Sequence, residues 1–348
     1  MFSPRTYFLG LSEPRFEIFC STTSRGNINS VEGFVMRLVR ILFSGLLFLR
    51  AMPVESAQIT IHADVNLVQL SVRVTDKNGR NVVGLSRDAF RLMIDGKEQP
   101  ITVFNGEDGP VTAGIVIDNS ASMEPKRAEV IAAAMAFARA SNTRDQMFVV
   151  HFNERARLGL PERTPFTGKI KELETAISSF DVGGSTALYD AILLAQSHIR
   201  GGVYGRRILL VITDGGDNSS KATLEEAVDA VAKAGVVIYA IGIYDPNDKD
   251  QNPKVLAHLA EVTGGEAFFP TALSDITRIC EEIAADVRRQ YTIGFAGADD
   301  NMYHQIEVIA SDPKHGELQV HTRPSYFASK PRSSANRMQT KRKARKKK

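Results

Sequence analysis

The chain has 348 residues, enough for about two domains, and its 43% hydrophobic and 24% charged content fits a folded globular protein. The formal charge of +3 hides an asymmetry: Lys330 onward holds ten Lys or Arg and no acid, while residues 58–329 hold 27 bases against 36 acids. Cys20 and Cys280 are the only cysteines, which excludes a disulfide framework and a cysteine metal cluster.

In chain order, residues 36–57 come first as a readable unit. A short basic start (Arg37, Arg40) precedes a nine-residue apolar run at 41–49 and small residues around Ser56 and Ala57. That order predicts a secretory signal peptide, and hence a secreted or periplasmic protein. The apolar run falls short of the ~20 residues of an ordinary membrane span. A signal anchor, or a chance apolar patch in a cytosolic protein, are the alternatives. Residues 1–35 are expected to be a non-native upstream extension, with Met36 as initiator.

Residues 58–106 alternate apolar and polar positions, as in Val68, Leu70, Val72 and Val74. Lys77-Asn78-Gly79 and Asp95-Gly96 are hairpin signals, so a small antiparallel β domain is predicted. From residue 110 the pattern becomes strand and helix in alternation, which predicts a mostly parallel sheet with crossover helices. Strands are expected at 111–117, 147–152, 208–213, 236–243 and 267–269, with an antiparallel edge at 155–160. Helices are expected at about 125–140, with Pro125 in the first helical position, and at 170–178 and 187–199. Further helices follow from the capping box at Thr223 to Gly235, at 253–262 and at 275–288. Cys280 falls on the apolar face of the last and is expected to be a buried thiol. Strands return at 290–295, 305–309 and 318–321, with a turn at 312–316 closing the last two into a hairpin. Residues 289–328 are predicted to join the N-terminal strands in one β domain, with the α/β unit (110–288) inserted. Residues 329–348 end in a basic run, read as a solvated tail or as a contact for anionic envelope polymer or lipid. No aromatic stacking platform accompanies it, so no specific nucleic acid is expected.

The chemistry is concentrated at three places within the α/β unit. The strand at 111–117 breaks into Asp118, Asn119, Ser120, Ala121 and Ser122. Gly183-Gly184-Ser185-Thr186 opens a helix, and the strand at 208–213 ends in Asp214. Loops at the carboxyl ends of such strands meet at the crevice where open α/β sheets bind ligands. Their oxygens are the hard donors Mg²⁺ requires. Each of Asp118 and Ser120 alone reads more readily as a helix cap. Asp217 and Asn218 read as loop polar residues or rim contacts, and Asp190 as a residue near the site or a surface charge.

Taken together, these residues resemble the von Willebrand factor A (VWA) domain and its metal-ion-dependent adhesion site. The family's D-x-S-x-S element matches Asp118, Ser120 and Ser122; its threonine matches Thr186 within G-G-S-T-A-L-Y-D-A; its late aspartate matches Asp214 within I-T-D-G. The resemblance implies a doubly wound α/β fold. It also implies that Ser120, Ser122 and Thr186 bind Mg²⁺ directly, with Mn²⁺ or Ca²⁺ as alternatives, while Asp118 and Asp214 bind directly or through water. A vacant coordination position would then take a Glu or Asp side chain of a partner protein. The N-terminal stretch, through V-T-D-K-N-G-R, G-L-S-R-D-A-F and I-D-G-K-E-Q-P-I, resembles that of a bacterial VWA-related family described mainly from acidobacteria. No H-E-x-x-H, G-x-S-x-G or P-loop is present, so a non-enzymatic binding module is expected. A Mg²⁺-dependent hydrolase and a scaffold with a vestigial site are the alternatives.

Overall fold

A computed structural model describes residues 66–106, 108–244 and 251–329, all of which fall in one unit, Ala63–Lys348. The segments read as upstream extension, signal peptide and basic tail beyond Ser329 lie outside the described residues. Among the described residues no helix is long and apolar enough to cross a membrane.

The alternation at the N-terminus does produce strands. β1 (Leu67–Asp76) buries Val68, Leu70, Val72 and Val74 on one face, as a period of two requires. β2 (Phe90–Ile94) and β3 (Lys97–Gln99) form a hairpin around Asp95 and Gly96, whose φ values of 50° and 74° are those of a tight primed turn. The Gly79 turn, by contrast, opens no long hairpin. After it the chain makes only an isolated bridge, Thr75 to Asn81. β4 (Val103–Asn105) ends this stretch.

The α/β unit follows. β5 (Thr112–Asp118) is buried throughout, and β6 (Gln146–Phe152), β7 (Ala156–Leu158), β8 (Arg207–Thr213), β9 (Val237–Gly242) and β10 (Ala267–Phe268) build a sheet in the order β10-β9-β8-β5-β6-β7. All neighbours are parallel except β7, which runs antiparallel to β6. The helices are α1 (Arg127–Ala140), α2 (Ile170–Ser178), α3 (Leu188–Ile199), α4 (Leu224–Ala234), α5 (Pro253–Thr263) and α6 (Asp275–Arg289). They pack as two groups, α1 with α2 and α6, and α3 with α4 and α5. This two-sided cover is the doubly wound arrangement expected from the sequence. α4 carries the capping box of Thr223 and Glu226 and ends on Gly235 in the left-handed region.

One helix starts later than its apolar pattern implies. Pro125 lies inside a 3₁₀ helix, Ala121–Lys126, and α1 begins only at Arg127. Ser120 accepts the Met123 N–H and closes a tighter i→i+3 turn, which a proline without a donor tolerates.

β11 (Tyr291–Ala296), β12 (Tyr303–Ala310), β13 (Leu318–His321) and β14 (Ser325–Phe327) return to the N-terminal strands. They make two four-stranded antiparallel sheets, β13-β1-β11-β4 and β14-β12-β2-β3, with a shared apolar core around Leu70, Leu92, Tyr291 and Phe295. The hairpin expected across residues 312–316 is not formed. β12 pairs with β2 and β13 with β1, so this connection passes from one sheet to the other. The turn itself closes locally through an Asp312–Gly316 bridge. Cys280 is buried on α6, and burial pushes its thiol up to about 12.

Candidate metal centre

β5 connects onward to β6 and its neighbour β8 to β9, so the connections leave these two adjacent strands in opposite directions. The carboxyl ends of β5 and β8 therefore flank the switch point of the sheet, and Asp118 and Asp214 stand there. Both are buried, at 2% and 3% exposure.

The loop after β5 is held by its own side chains. Asp118 Oδ1 accepts the Ser120 N–H at 2.8 Å, and Asp118 Oδ2 accepts the Thr213 hydroxyl at 2.5 Å. Ser122 donates its hydroxyl to Asp214 Oδ2 at 2.7 Å, and the Ser120 and Ser122 hydroxyls lie 3.1 Å apart. Four of the five predicted donors thus meet through direct hydrogen bonds within the group or to Thr213.

The Thr186 loop is tied to its neighbours on both sides through its backbone. Gly183 N–H donates to Asn119 O and Ala121 N–H to Gly184 O, clipping the two loops together. Thr186 N–H donates to Asn218 Oδ1 at 2.8 Å, while Thr186 O accepts from the Asn218 and Ser219 N–H groups. The threonine is 6% exposed. Gly184 has φ +83°, and a Cβ there would come within 2.7 Å of the Glu154 carboxylate, so this close approach requires glycine.

One contributor, Thr213, carried no signal in the sequence, and Asn218, Asp217 and Asp190 were legible only as rim, loop or surface polar residues. Thr213 reads as the end of a strand, yet its hydroxyl fixes Asp118 and also accepts the Gly215 N–H. Asn218 reads as a rim residue, yet it holds the Thr186 backbone. Asp217 accepts the Tyr189 N–H and the Ser220 hydroxyl, and Asp190 accepts the Lys221 and Ala222 N–H groups. Both aspartates tie the loop after Asp214 to the start of α3. Side chains that serve the backbone of a distant loop leave no mark in local spacing.

Electrostatics decide what this cluster can hold. Burial pushes the Asp118 carboxyl up to about 6; the hydrogen bonds from Thr213 and Ser120 oppose this, and the nearby Asp214 charge adds to it. Burial and the same Asp214 charge raise the Tyr244 phenol. A divalent cation would relieve the repulsion between two buried carboxylates. The donors are all oxygen, two carboxylates and three hydroxyls, which fits a hard cation of the Mg²⁺ type. Among the described residues no three His, Cys, Asp or Glu side chains are grouped to bind a metal.

A doubly wound sheet with an oxygen-lined switch point defines a class of ligand-binding α/β domain. Residues 114–285 match the von Willebrand factor type A domain, and this part of the chain belongs to that family. Domains of the family bind a divalent metal at the adhesion site and commonly mediate protein interactions. Among solved structures, a von Willebrand factor type A protein from Catenulispora acidiphila is similar at 14% identity and TM-score 0.47, over 79% of this chain and 76% of that one. BatB from Bacteroides thetaiotaomicron is similar at 20% identity and TM-score 0.42, over 51% of this chain and 98% of that one. Proximal thread matrix protein 1 from the mussel byssus, solved with a zinc-occupied MIDAS motif, is similar at 18% identity and TM-score 0.45, over 56% of this chain and 49% of that one. No curated protein matches the chain.

Proposed function

We propose that this protein is an exported, metal-dependent binding module. Its VWA domain would hold Mg²⁺ through Ser120, Ser122 and Thr186, with Asp118 and Asp214 bound directly or through water, and would dock an acidic side chain of a partner protein. The observation that carries the reading is the Ser122–Asp214 hydrogen bond, which joins the loops after β5 and β8 on a buried, oxygen-only cluster. When bound, the cation supplies an electrophilic coordination position for a carboxylate. The chain's own part is to hold five oxygens in place and to keep formal charge in the direct shell low. Asp118 and Asp214 supply the charge that retains the cation, and neutral hydroxyls leave it attractive to a further anion.

The carboxylates that accept the Ser122 and Thr213 hydroxyls, Asp214 and Asp118, are the ones assigned to retain the cation, which favours binding over hydrolysis. Export through residues 36–57, and contact between the basic tail and anionic envelope polymer or lipid, belong to the same proposal. Both rest on the sequence pattern alone.

The test is crosslinking of the full chain in native envelope, with Mg²⁺ and with EDTA, followed by identification of captured proteins. The proposal expects a partner captured only with Mg²⁺ and lost when a single Glu or Asp of that partner is neutralised. Equal capture in EDTA would make the protein a scaffold, and the docking proposal would fail. N-terminal sequencing of the envelope form should find a start near residue 58.

A further inference from the structure

β8 runs from Arg207 to Thr213, so Arg207 stands at the end opposite Asp214, about 20 Å away along the strand. There the α/β unit meets the β domain, and a cavity of about 320 Å³ opens between them. Its walls include Asn66, Gln69, Arg207, Lys233 and Arg323, and among the described residues no Asp or Glu lines it. Lys233 is already paired with Asp229 at 2.6 Å and lies over the Phe327 ring. The two arginines are not so served. Among the described residues neither has an ion pair, and the Nε atom of each is shielded from solvent without a hydrogen-bond partner. Arg323 has one long hydrogen bond, from Nη2 to Gln69 O at 3.4 Å.

A guanidinium carries five N–H donors, so one long bond and a shielded Nε leave Arg323 with donors for a further acceptor. Holding two half-buried guanidinium groups on the wall of one cavity is unfavourable unless an anion joins them. The α4 C-terminus offers some relief. Gly235, its left-handed cap, lets Nη1 approach to where a Cβ would be 3.0 Å away. Partial helix charge is smaller than one unit, whereas two guanidinium groups require about two. Burial lowers both cations, Arg323 to about 10, as expected for charges without counter-ions. Planar forks of this kind suit bidentate recognition of phosphate oxygens.

We propose that this cavity between the α/β unit and the β domain is an anion site, in which Arg207 and Arg323 bind a phosphate-class dianion. The site is separate from the metal centre and does not depend on it. It would couple ligand binding to the contact between the two parts of the chain, because Arg207 belongs to β8 and Arg323 follows β13.

The test is thermal unfolding of the full chain in EDTA, titrated with inorganic phosphate against chloride at constant ionic strength. Phosphate should raise the Tm of the wild type, and Arg207→Gln should weaken the apparent affinity by about 10-fold or more. Gln69→Glu is nearly isosteric and places a carboxylate in the cavity. It should raise the phosphate-free Tm and abolish the response, which keeps the test readable even if an arginine variant folds poorly. A parallel titration with glycerol phosphate identifies the source. Tighter binding of the ester points to a headgroup or polymer, tighter binding of inorganic phosphate to the free ion, and either upholds the site. No response in the wild type, or an equal response in Gln69→Glu, overturns the proposal.

Discussion

Ser122 donates its hydroxyl to Asp214 across 2.7 Å, although 92 residues separate the two in the chain. The bond exists because parallel β5 and β8 end at the same level of the sheet. It also marks an unresolved conflict, since Asp214 lies close enough to Asp118 to raise its carboxyl. Two buried carboxylates are unfavourable without a cation and favourable with one.

Asp118→Asn should therefore reverse its effect with metal. In EDTA the variant should unfold at the same temperature as the wild type or higher, by about 1–3 kcal/mol of relieved repulsion and burial. In Mg²⁺ the wild type should gain stability and the variant should gain little. Melting curves of both proteins in both buffers check this. Equal wild-type melting in EDTA and Mg²⁺ would remove the basis for a metal site.

Asn218 provides a sharper test of how the site is held. Its Oδ1 accepts the Thr186 N–H, and its own N–H donates to Thr186 O. Asn218→Ala leaves all five candidate ligands in place but frees one side of the threonine loop. Supporting residues of this kind typically change metal affinity by about 10–100-fold. Asn218→Asp keeps the acceptor and should retain most of the affinity. Isothermal titration with Mg²⁺ separates the two variants, and identical affinity of Asn218→Ala and wild type would assign Asn218 to the rim.

Much of this was legible in the residues themselves. β5 is an apolar run ending in a carboxylate and two serines, and that pattern depends only on what a buried strand and a hard cation require. The Thr223 cap and Gly235 stop were equally local. What escaped was non-local. The Thr213 hydroxyl looked like an ordinary strand residue because its partner, Asp118, lies across the sheet. The supposed β12–β13 hairpin failed for the same reason. A turn at Asp312–Gly316 fixes a change of direction, while the strands on either side choose partners in different sheets by their buried faces.

The close fit of the central sheet has its own consequence at Gly114, in the middle of β5. A Cβ there would lie 2.5 Å from Leu209 Cδ2 and 2.5 Å from Phe148 Cζ. Neither neighbour has room to withdraw, as Phe148 and Leu209 are both fully buried. Gly114→Ala should cost about 1–3 kcal/mol through overpacking. Urea unfolding should show a lower midpoint with an unchanged slope. A midpoint equal to that of the wild type would mean the sheet can open around β5.

The β domain should respond to pH through His304. Its Nδ1 lies 2.7 Å from Asp95 Oδ2, and its Nε2 lies 3.0 Å from Asp300 Oδ2. Hydrogen bonds to Asp95 and Asp300 raise the imidazole above its ordinary 6.5, and the same bonds hold both carboxyls below their ordinary 3.8. For the histidine, a raised folded pKa gives stability that is complete below 6.5 and lost as pH rises through the folded value. For the aspartates, a lowered folded pKa gives stability present above 3.8 and lost as pH falls through the folded value. The triad therefore stabilises the fold most between these limits, where one imidazolium donates to two carboxylates. Above the folded pKa the neutral ring has a single N–H, and one aspartate faces a lone pair. His304→Gln should lower the Tm most near about pH 5 and progressively less as pH rises through the folded imidazole value. Paired melts across that range measure the difference directly. A difference independent of pH would show that His304 contributes packing against Tyr326, on whose ring it stacks, rather than charge.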